Sequence, residues 1–217
     1  MKKITFDDPH RRLHFDHFRK MDNPHFGITA EVDITSFLDC VRRSPALRFT
    51  PAIVYLITKT AMEIRPFRWR ICEEEVVEHR NLRPSFTVPT AASDVFSFCT
   101  VRYDENVQNF HRSAEETIEA MRENPSFEDE PGADDYLFLS AFPWASFTSI
   151  THAMNSSLAD SVPRITWGKY FKRGDQTFMP LGVQAHHAVV DGSDIGKYYQ
   201  LIQRNLRDSE KIFAKLL

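Results

Sequence analysis

The sequence predicts an α/β fold, and three observations carry that prediction. Apolar residues recur at helical spacing over 35–41, 53–64, 107–121 and 195–206. Between these stretches lie short segments rich in β-branched and aromatic residues, several of them alternating. No linker, repeat or low-complexity tract divides the 217 residues. Residues 1–217 therefore read as a single domain, long enough to bury a proper core.

Taken in order, residues 10–20 read as a short helix on which His10, His14 and His17 share one side. Residues 25–33 alternate as a strand, and Thr35 then leads a helix carrying Phe37, Leu38 and Val41. Pro51 sits in the opening of the next helix, where a missing N–H costs little. Ile53, Leu56, Ile57, Ala61 and Ile64 form its buried stripe, and Pro66 closes it. Short extended pieces follow at 70–73, 75–79, 85–88 and 96–101. An amphipathic helix spans 104–122, and the acidic stretch 123–135 is a loop, either a solvated connection or a lid. Residues 136–149 read as a central strand, a break at Pro143 and a second extended piece ending at Ser149. A strand at 163–170 leads to a hairpin turn at Gly174-Asp175 and a long strand over 177–187. On that strand Met179, Leu181, Val183, Ala185 and His187 fall on one face, with Gln184 and His186 on the other.

Composition excludes several function classes. With 42% hydrophobic and 26% charged residues the chain is that of a soluble globular protein. A formal net charge of −3 gives no electrostatic case for nucleic acid or an anionic membrane. No apolar run approaches the ~18 residues of a membrane span. Cys40, Cys72 and Cys99 show no paired spacing, and the first residues lack the apolar core of a signal peptide. Reduced thiols and a cytoplasmic location follow as expectations. Eighteen phenylalanines stand out; most are expected in the core, with room for some to line a pocket for an apolar ligand.

The stretch Gln184-Ala-His-His-Ala-Val-Val-Asp-Gly-Ser-Asp concentrates the chemistry. Two adjacent strand histidines point to opposite faces and do not easily grip one ion, and no HExxH or CxxC supplies further ligands, so no metal is expected. Gly192-Ser-Asp-Ile-Gly196-Lys197 has one residue too few for a phosphate loop, and Tyr198 stands where a Ser or Thr is needed. A serine hydrolase needs G-x-S-x-G, which is absent; Ser149, in Phe147-Thr-Ser-Ile, reads as a hydrogen-bond donor and not a nucleophile. Two readings of His187 stand: a buried histidine bonded to a backbone carbonyl, or a general base, since a neutral imidazole accepts a proton near the operating pH. Asp191 either orients His187 or caps the helix that follows.

His186-His187-Ala-Val-Val-Asp191-Gly192 resembles the signature of the chloramphenicol acetyltransferases. The likeness spans nearly the whole chain. Pro143-Trp144 followed by Ser146-Phe-Thr-Ser149 looks like that family's oxyanion segment, and Thr166 in Pro163-Arg-Ile-Thr-Trp-Gly-Lys-Tyr looks like its buried threonine. Arg11-Arg12 ahead of His14-Phe15, Val32-Asp-Ile-Thr35, Tyr55-Leu-Ile57 and Phe86-Thr-Val88 fit in the same order. The resemblance implies a two-layer α/β sandwich, a mostly antiparallel mixed sheet covered by helices. It also implies a homotrimer with active sites at the subunit interfaces, where acetyl-CoA meets a small hydroxylated acceptor. Acetyl-CoA would be a co-substrate, with no permanently bound cofactor.

Carried over residue by residue, His187 is the general base, with its tautomer held by a backbone carbonyl. Ser149 donates to the tetrahedral oxyanion and Thr166 supports that site through water. Asp191 pairs with Arg11 and holds the loop, and His186 is structural. His17, Phe18, Phe26 and Val95 fall on the acceptor side. Tyr170 matches a ring near the adenine of the coenzyme, and Lys169 and Arg48 match basic positions near its phosphates. The acceptor side departs from the family. Phe18 stands where a tyrosine helps hold the antibiotic, His17 replaces an aromatic, and Val95 occupies a threonine position. Residues 21–25 and 91–95 also share little with the family. The implied reaction is O-acetylation of chloramphenicol or a related alcohol. Two other readings share the likeness: a dihydrolipoyl acyltransferase core, disfavoured by the lack of a lipoyl domain and linker, and a catalytically idle trimer acting as a scaffold.

Overall fold

The computed structural model describes residues 1–128, 130–154 and 160–217. Its elements in order are β1 (Lys2–Ile4), α1 (Pro9–Phe18), β2 (His25–Asp33), α2 (Thr35–Arg43), α3 (Phe49–Glu63), β3 (Trp69–Cys72), β4 (Glu75–Glu78), β5 (Arg83–Pro89) and β6 (Phe96–Thr100). There follow α4 (Val107–Glu123), β7 (Tyr136–Phe142), β8 (Arg164–Gly168), β9 (Phe171–Arg173), β10 (Gln176–His186), α5 (Gly192–Arg207) and α6 (Ser209–Ile212). The main sheet runs β2-β10-β8-β7-β5-β6, with β9 added beside β10. Only β5–β7 and β7–β8 are parallel, so the sheet is mixed and mostly antiparallel, as the family resemblance implies. A separate three-stranded sheet runs β1-β4-β3.

Alternation sorts each strand of the main sheet into two faces. Phe86, Cys99, Leu139, Ile165, Leu181, Val183 and Ala185 point to one face, where they join the buried stripe of α3 (Ile53, Leu56, Ile57, Ala61) in the core. The other face carries Ser85, Thr87, Phe98, Phe138, Ser140, Arg164, Thr166, Gly182 and Gln184, joined by direct cross-strand pairing. This second face is polar and aromatic because it is covered by a loop and a cavity instead of helices.

The long β10 is fed by a two-residue hairpin in which Gly174 takes φ +60°, the left-handed region where glycine has no Cβ penalty. Helix α1 begins at Asp8, whose carboxylate accepts from the His10 amide, and Pro9 follows at a position that needs no N–H. The strand at 25–33 and the helix from Thr35 lie where the sequence places them. The extended piece expected over 144–149 is not a strand. Pro143 cannot donate to a ladder, so the chain leaves the sheet there, turns through Trp144, and crosses the open face. Strand β1 carries no sequence signal: Lys2 and Lys3 are exposed and only Ile4 is partly covered.

The acidic stretch is a loop from residue 124 onward, Glu123 being the last residue of α4, and three of its acids are engaged. Glu130 and Asp135 pair with Arg83, and Asp134 Oδ1 lies 2.8 Å from His79 Nε2. Cys40, Cys72 and Cys99 are free thiols, and burial pushes Cys99 up to about 12. Among the described residues no helix is long and apolar enough to cross a membrane.

Arg70, only 1% exposed, stitches the small sheet to the main one by donating to the carbonyls of Phe67, Trp69, Asp134 and Tyr136. Arg70→Leu leaves four carbonyls without their donor and is expected to destabilise the fold by about 4 kcal/mol or more, since each buried unpaired polar group costs on the order of 1–3 kcal/mol. Thermal unfolding of the two proteins checks this.

Candidate active site

Strand β10 ends at His186, one residue earlier than the alternation suggested, and His187 opens the turn into α5. His187 is therefore not a strand residue on the core face. Its amide donates to the Pro24 carbonyl at 2.8 Å, which ties the turn to the entry of β2. Its ring is clamped between Phe18, stacked at 4.0 Å, and Phe26 at 4.3 Å, with the His14 ring edge-on at 5.3 Å. The backbone carbonyl expected on its ring is not found at Nδ1 among the described residues. Nδ1 is buried with no hydrogen-bond partner among the described residues, because the ring lies in an aromatic slot and not over a strand. His186 is fully buried on the opposite side. It accepts from the Ala188 amide at Nδ1 and packs 5.0 Å from the His25 ring.

Arg11 holds this turn, but not through Asp191. Its guanidinium donates to the Ala188 carbonyl at 2.9 Å and the Val189 carbonyl at 3.1 Å, and it stacks over Phe6. The expected Arg11–Asp191 pair does not form. The Asp191 carboxylate accepts from the Ser193 amide at 2.9 Å and completes a capping box with Asp194 at the start of α5. The capping alternative for this acid is the one realised, and those amide bonds hold its pKa below the ordinary carboxylate value. Arg11 also lies 2.9 Å from His14 Nδ1. A guanidinium only donates, so His14 Nδ1 accepts and its proton sits on Nε2, 3.9 Å from Asp191. Burial, then Arg11 and His187, lower the pKa of His14 and keep it neutral.

His14, His187 and Asp191 bring one ligand-type atom each within 4.8 Å of one another. His10 and His17, which share the α1 side of His14 in the sequence, stay exposed and are not part of this set. The adjacent Arg11 cation opposes an ion at that place.

Ser149 and Thr166 belong to another part of the chain. Thr166 pairs with Gly182 on the open face, five residues before His187. At ~3.3 Å per strand residue that is roughly 16 Å along β10. Thr166 is fully buried, and its hydroxyl lies 2.7 Å from His152 Nε2. Ser149 is exposed on the loop that crosses this face. That loop lies low because Gly168 and Gly182 leave room for it. A Cβ at Gly168 would come within 2.7 Å of Phe147, and one at Gly182 within 2.7 Å of Ile150. Beside it opens a cavity of about 280 Å³ walled by Phe96, Phe98, Phe138, Ser140, His152 and Arg164. Val95, 52% exposed, immediately precedes Phe96 of this wall. His152 carries no motif, and sequence reasoning missed it.

The coenzyme-side residues partly assemble. Tyr170 packs 6.4 Å from Phe49, which with Arg48, Trp167 and Arg122 lines another cavity of about 500 Å³; Tyr170 itself is not in that lining. Arg48 itself is 3.7 Å from Glu115. Lys169 is exposed, with its amide bonded to the Ala145 carbonyl.

A mixed sheet with helices on one face and a histidine at the strand-to-helix turn is the fold of coenzyme A-dependent acyltransferases. A solved chloramphenicol acetyltransferase superposes with a TM-score of 0.80 at 24% identity, covering 94% of this chain and 99% of that one. A dihydrolipoamide acetyltransferase from Azotobacter vinelandii shares the fold at a TM-score of 0.71 and 16% identity, over 93% and 88% of the two chains. Residues 1–203 match the family model described as chloramphenicol acetyltransferase, and the chain belongs to that family of acyltransferases. Relatives with that name include one from Klebsiella sp, 29% identical over 90% of this chain and 89% of its own. Chloramphenicol acetyltransferase 3 from Escherichia coli is 28% identical over 89% and 91%.

Asp191→Ala is expected to cost about 1 kcal/mol at neutral pH, the usual worth of an N-cap. The folded pKa of Asp191 is depressed, so its contribution is complete above the ordinary carboxylate pKa and is lost as pH falls through the folded value. The gap between wild type and variant should therefore close below about pH 4, as read by denaturant unfolding across pH.

Proposed function

We propose that the protein transfers the acetyl group of acetyl-CoA to a hydroxyl of chloramphenicol or a related small alcohol, with His187 as general base. The observation that carries this reading is the placement of His187. An aromatic slot fixes its ring, and Arg11 fixes the carbonyls of its turn, in a chain of the chloramphenicol acetyltransferase family. His187 takes the proton of the acceptor hydroxyl as the oxygen forms its bond to the thioester carbonyl carbon. Ser149 donates to the oxyanion of the tetrahedral intermediate. Collapse breaks the C–S bond, and the departing thiolate takes the proton back from the imidazolium. No acyl-enzyme forms, and every proton and electron pair is accounted for.

The distance between His187 and the Ser149–Thr166 region supports a homotrimer in which His187 of one subunit faces Ser149 of the next. A single chain does not bring the two together. In this reading Phe18, Phe26 and His17 contribute the His187 side of the acceptor site, and the cavity beside His152 contributes the other. Tyr170, Phe49 and Arg48 would receive the coenzyme from the opposite end, with Lys169 near its phosphates. Phe18 offers no hydroxyl, so the acceptor is held there by ring contact. A cytoplasmic location suits both the three free thiols and a reaction that draws on acetyl-CoA.

The test is thiol release from acetyl-CoA with chloramphenicol and a panel of small alcohols, together with the assembly mass in solution. His187→Ala is expected to lower kcat by about 10²–10⁴, and Ser149→Ala by about 10²–10³. Retained activity in His187→Ala would defeat the assignment of the base, and an active monomer would defeat the shared site.

A further inference from the structure

The segment that carries Ser149 crosses the open face of the sheet and is pinned at three points. Phe147 lies over Gly168, Ile150 lies over Gly182, and His152 bonds to Gln184 and Thr166. The first two pins are apolar contacts. The third is the only one of them that fixes direction.

The backbone amide of His152 lies 3.3 Å from Gln184 Oε1, and His152 Nδ1 lies 3.0 Å from the same atom. An amide N–H can only donate, so that atom of Gln184 is the carbonyl oxygen and His152 Nδ1 carries the hydrogen. Nε2 is then the acceptor, and the Thr166 hydroxyl donates to it at 2.7 Å. The ring is thus held by two bonds of opposite sense, to residues on β10 and the adjacent β8. Burial, with Arg164 adding to it, lowers the pKa of His152 and favours the neutral ring that this pattern uses. Thr166 spends its hydroxyl hydrogen here.

We infer that His152 is a positioning residue for Ser149, holding the 147–152 segment at the height and direction from which the Ser149 hydroxyl reaches the oxyanion. The inference rests on the reading of Ser149 as oxyanion donor. Removing the anchor lets the segment drift, and a misplacement of about 1 Å near a reacting centre can cost on the order of 10² in rate.

The experiment has two arms on the full-length protein. In the first, amide hydrogen exchange is followed in wild type, His152→Leu and His152→Asn. Exchange over residues 147–153 is expected to quicken at least about tenfold in His152→Leu, as for any segment that loses its tertiary hydrogen bonds, while β10 stays protected. His152→Asn, which keeps a donor for Gln184, is expected to quicken less. Unchanged exchange in His152→Leu overturns the inference whether or not the protein is active. In the second arm, kcat of His152→Leu is expected to fall by about 10–100-fold with KM for acetyl-CoA held within about twofold. In a Ser149→Ala background the same change should cost less than about threefold more, because its effect runs through Ser149. Full additivity of the two substitutions overturns the inference. Wild-type protein that releases no thiol with any acceptor would instead defeat the functional reading, and the exchange arm would still decide the anchor.

Discussion

The grip of one guanidinium on two backbone carbonyls underlies the geometry of the His187 turn. The chain leaves β10 at His186 and needs five residues to reach α5. Such a turn has carbonyls with no ladder partner, and in a half-buried place they require donors. Arg11 supplies them from α1, which is remote in sequence, and also sets the tautomer of His14. Asp191 is then left to start α5. Two polar residues divide the labour: the arginine shapes the turn and the acid shapes the helix behind it.

The layout of the open face follows from the opposite choice. There the sheet presents small and polar residues, and a loop supplies the side chains that cover them. Helices pack against the other face with aliphatic stripes, so the rigid half of the molecule and the chemically varied half meet back to back across one layer of strands. Strand register gives the varied half its precision, since each open-face residue is fixed by its cross-strand partner.

Helices and strands with clear periodicity were legible in the sequence, as 25–33, 35–43 and 192–207 illustrate. So was the stretch around His187, because a rare residue type recurs there beside an acid and a glycine. The aromatic slot of Phe18 and Phe26 was foreseen only as an acceptor wall and not as the clamp on His187 itself. Residues 144–149 were misread because their apolar side chains suit a strand, while Pro143 ejects the chain from the ladder. The pairing of Asp191 with Arg11 came from the family resemblance, yet local amides won over the distant cation, since an N-cap is formed by residues two and three positions away. His152 was invisible. A single histidine outside any pattern becomes informative only when strand pairing shows that Thr166 and Gln184 lie beneath it.

Gly168 and Gly182 give the molecule an unusual kind of adjustability. The height of the Ser149 segment is set from underneath, by methyl groups that the sheet does not have. A methyl gained in the floor of the sheet, as in Gly168→Ala or Gly182→Ala, would push the overlying Phe147 or Ile150 outward by a fraction of an ångström without altering Ser149 itself. Drift in such a protein can therefore move the proposed oxyanion donor through positions that a survey of reactive side chains would pass over, and the most sensitive sites are ones where there is no side chain to inspect.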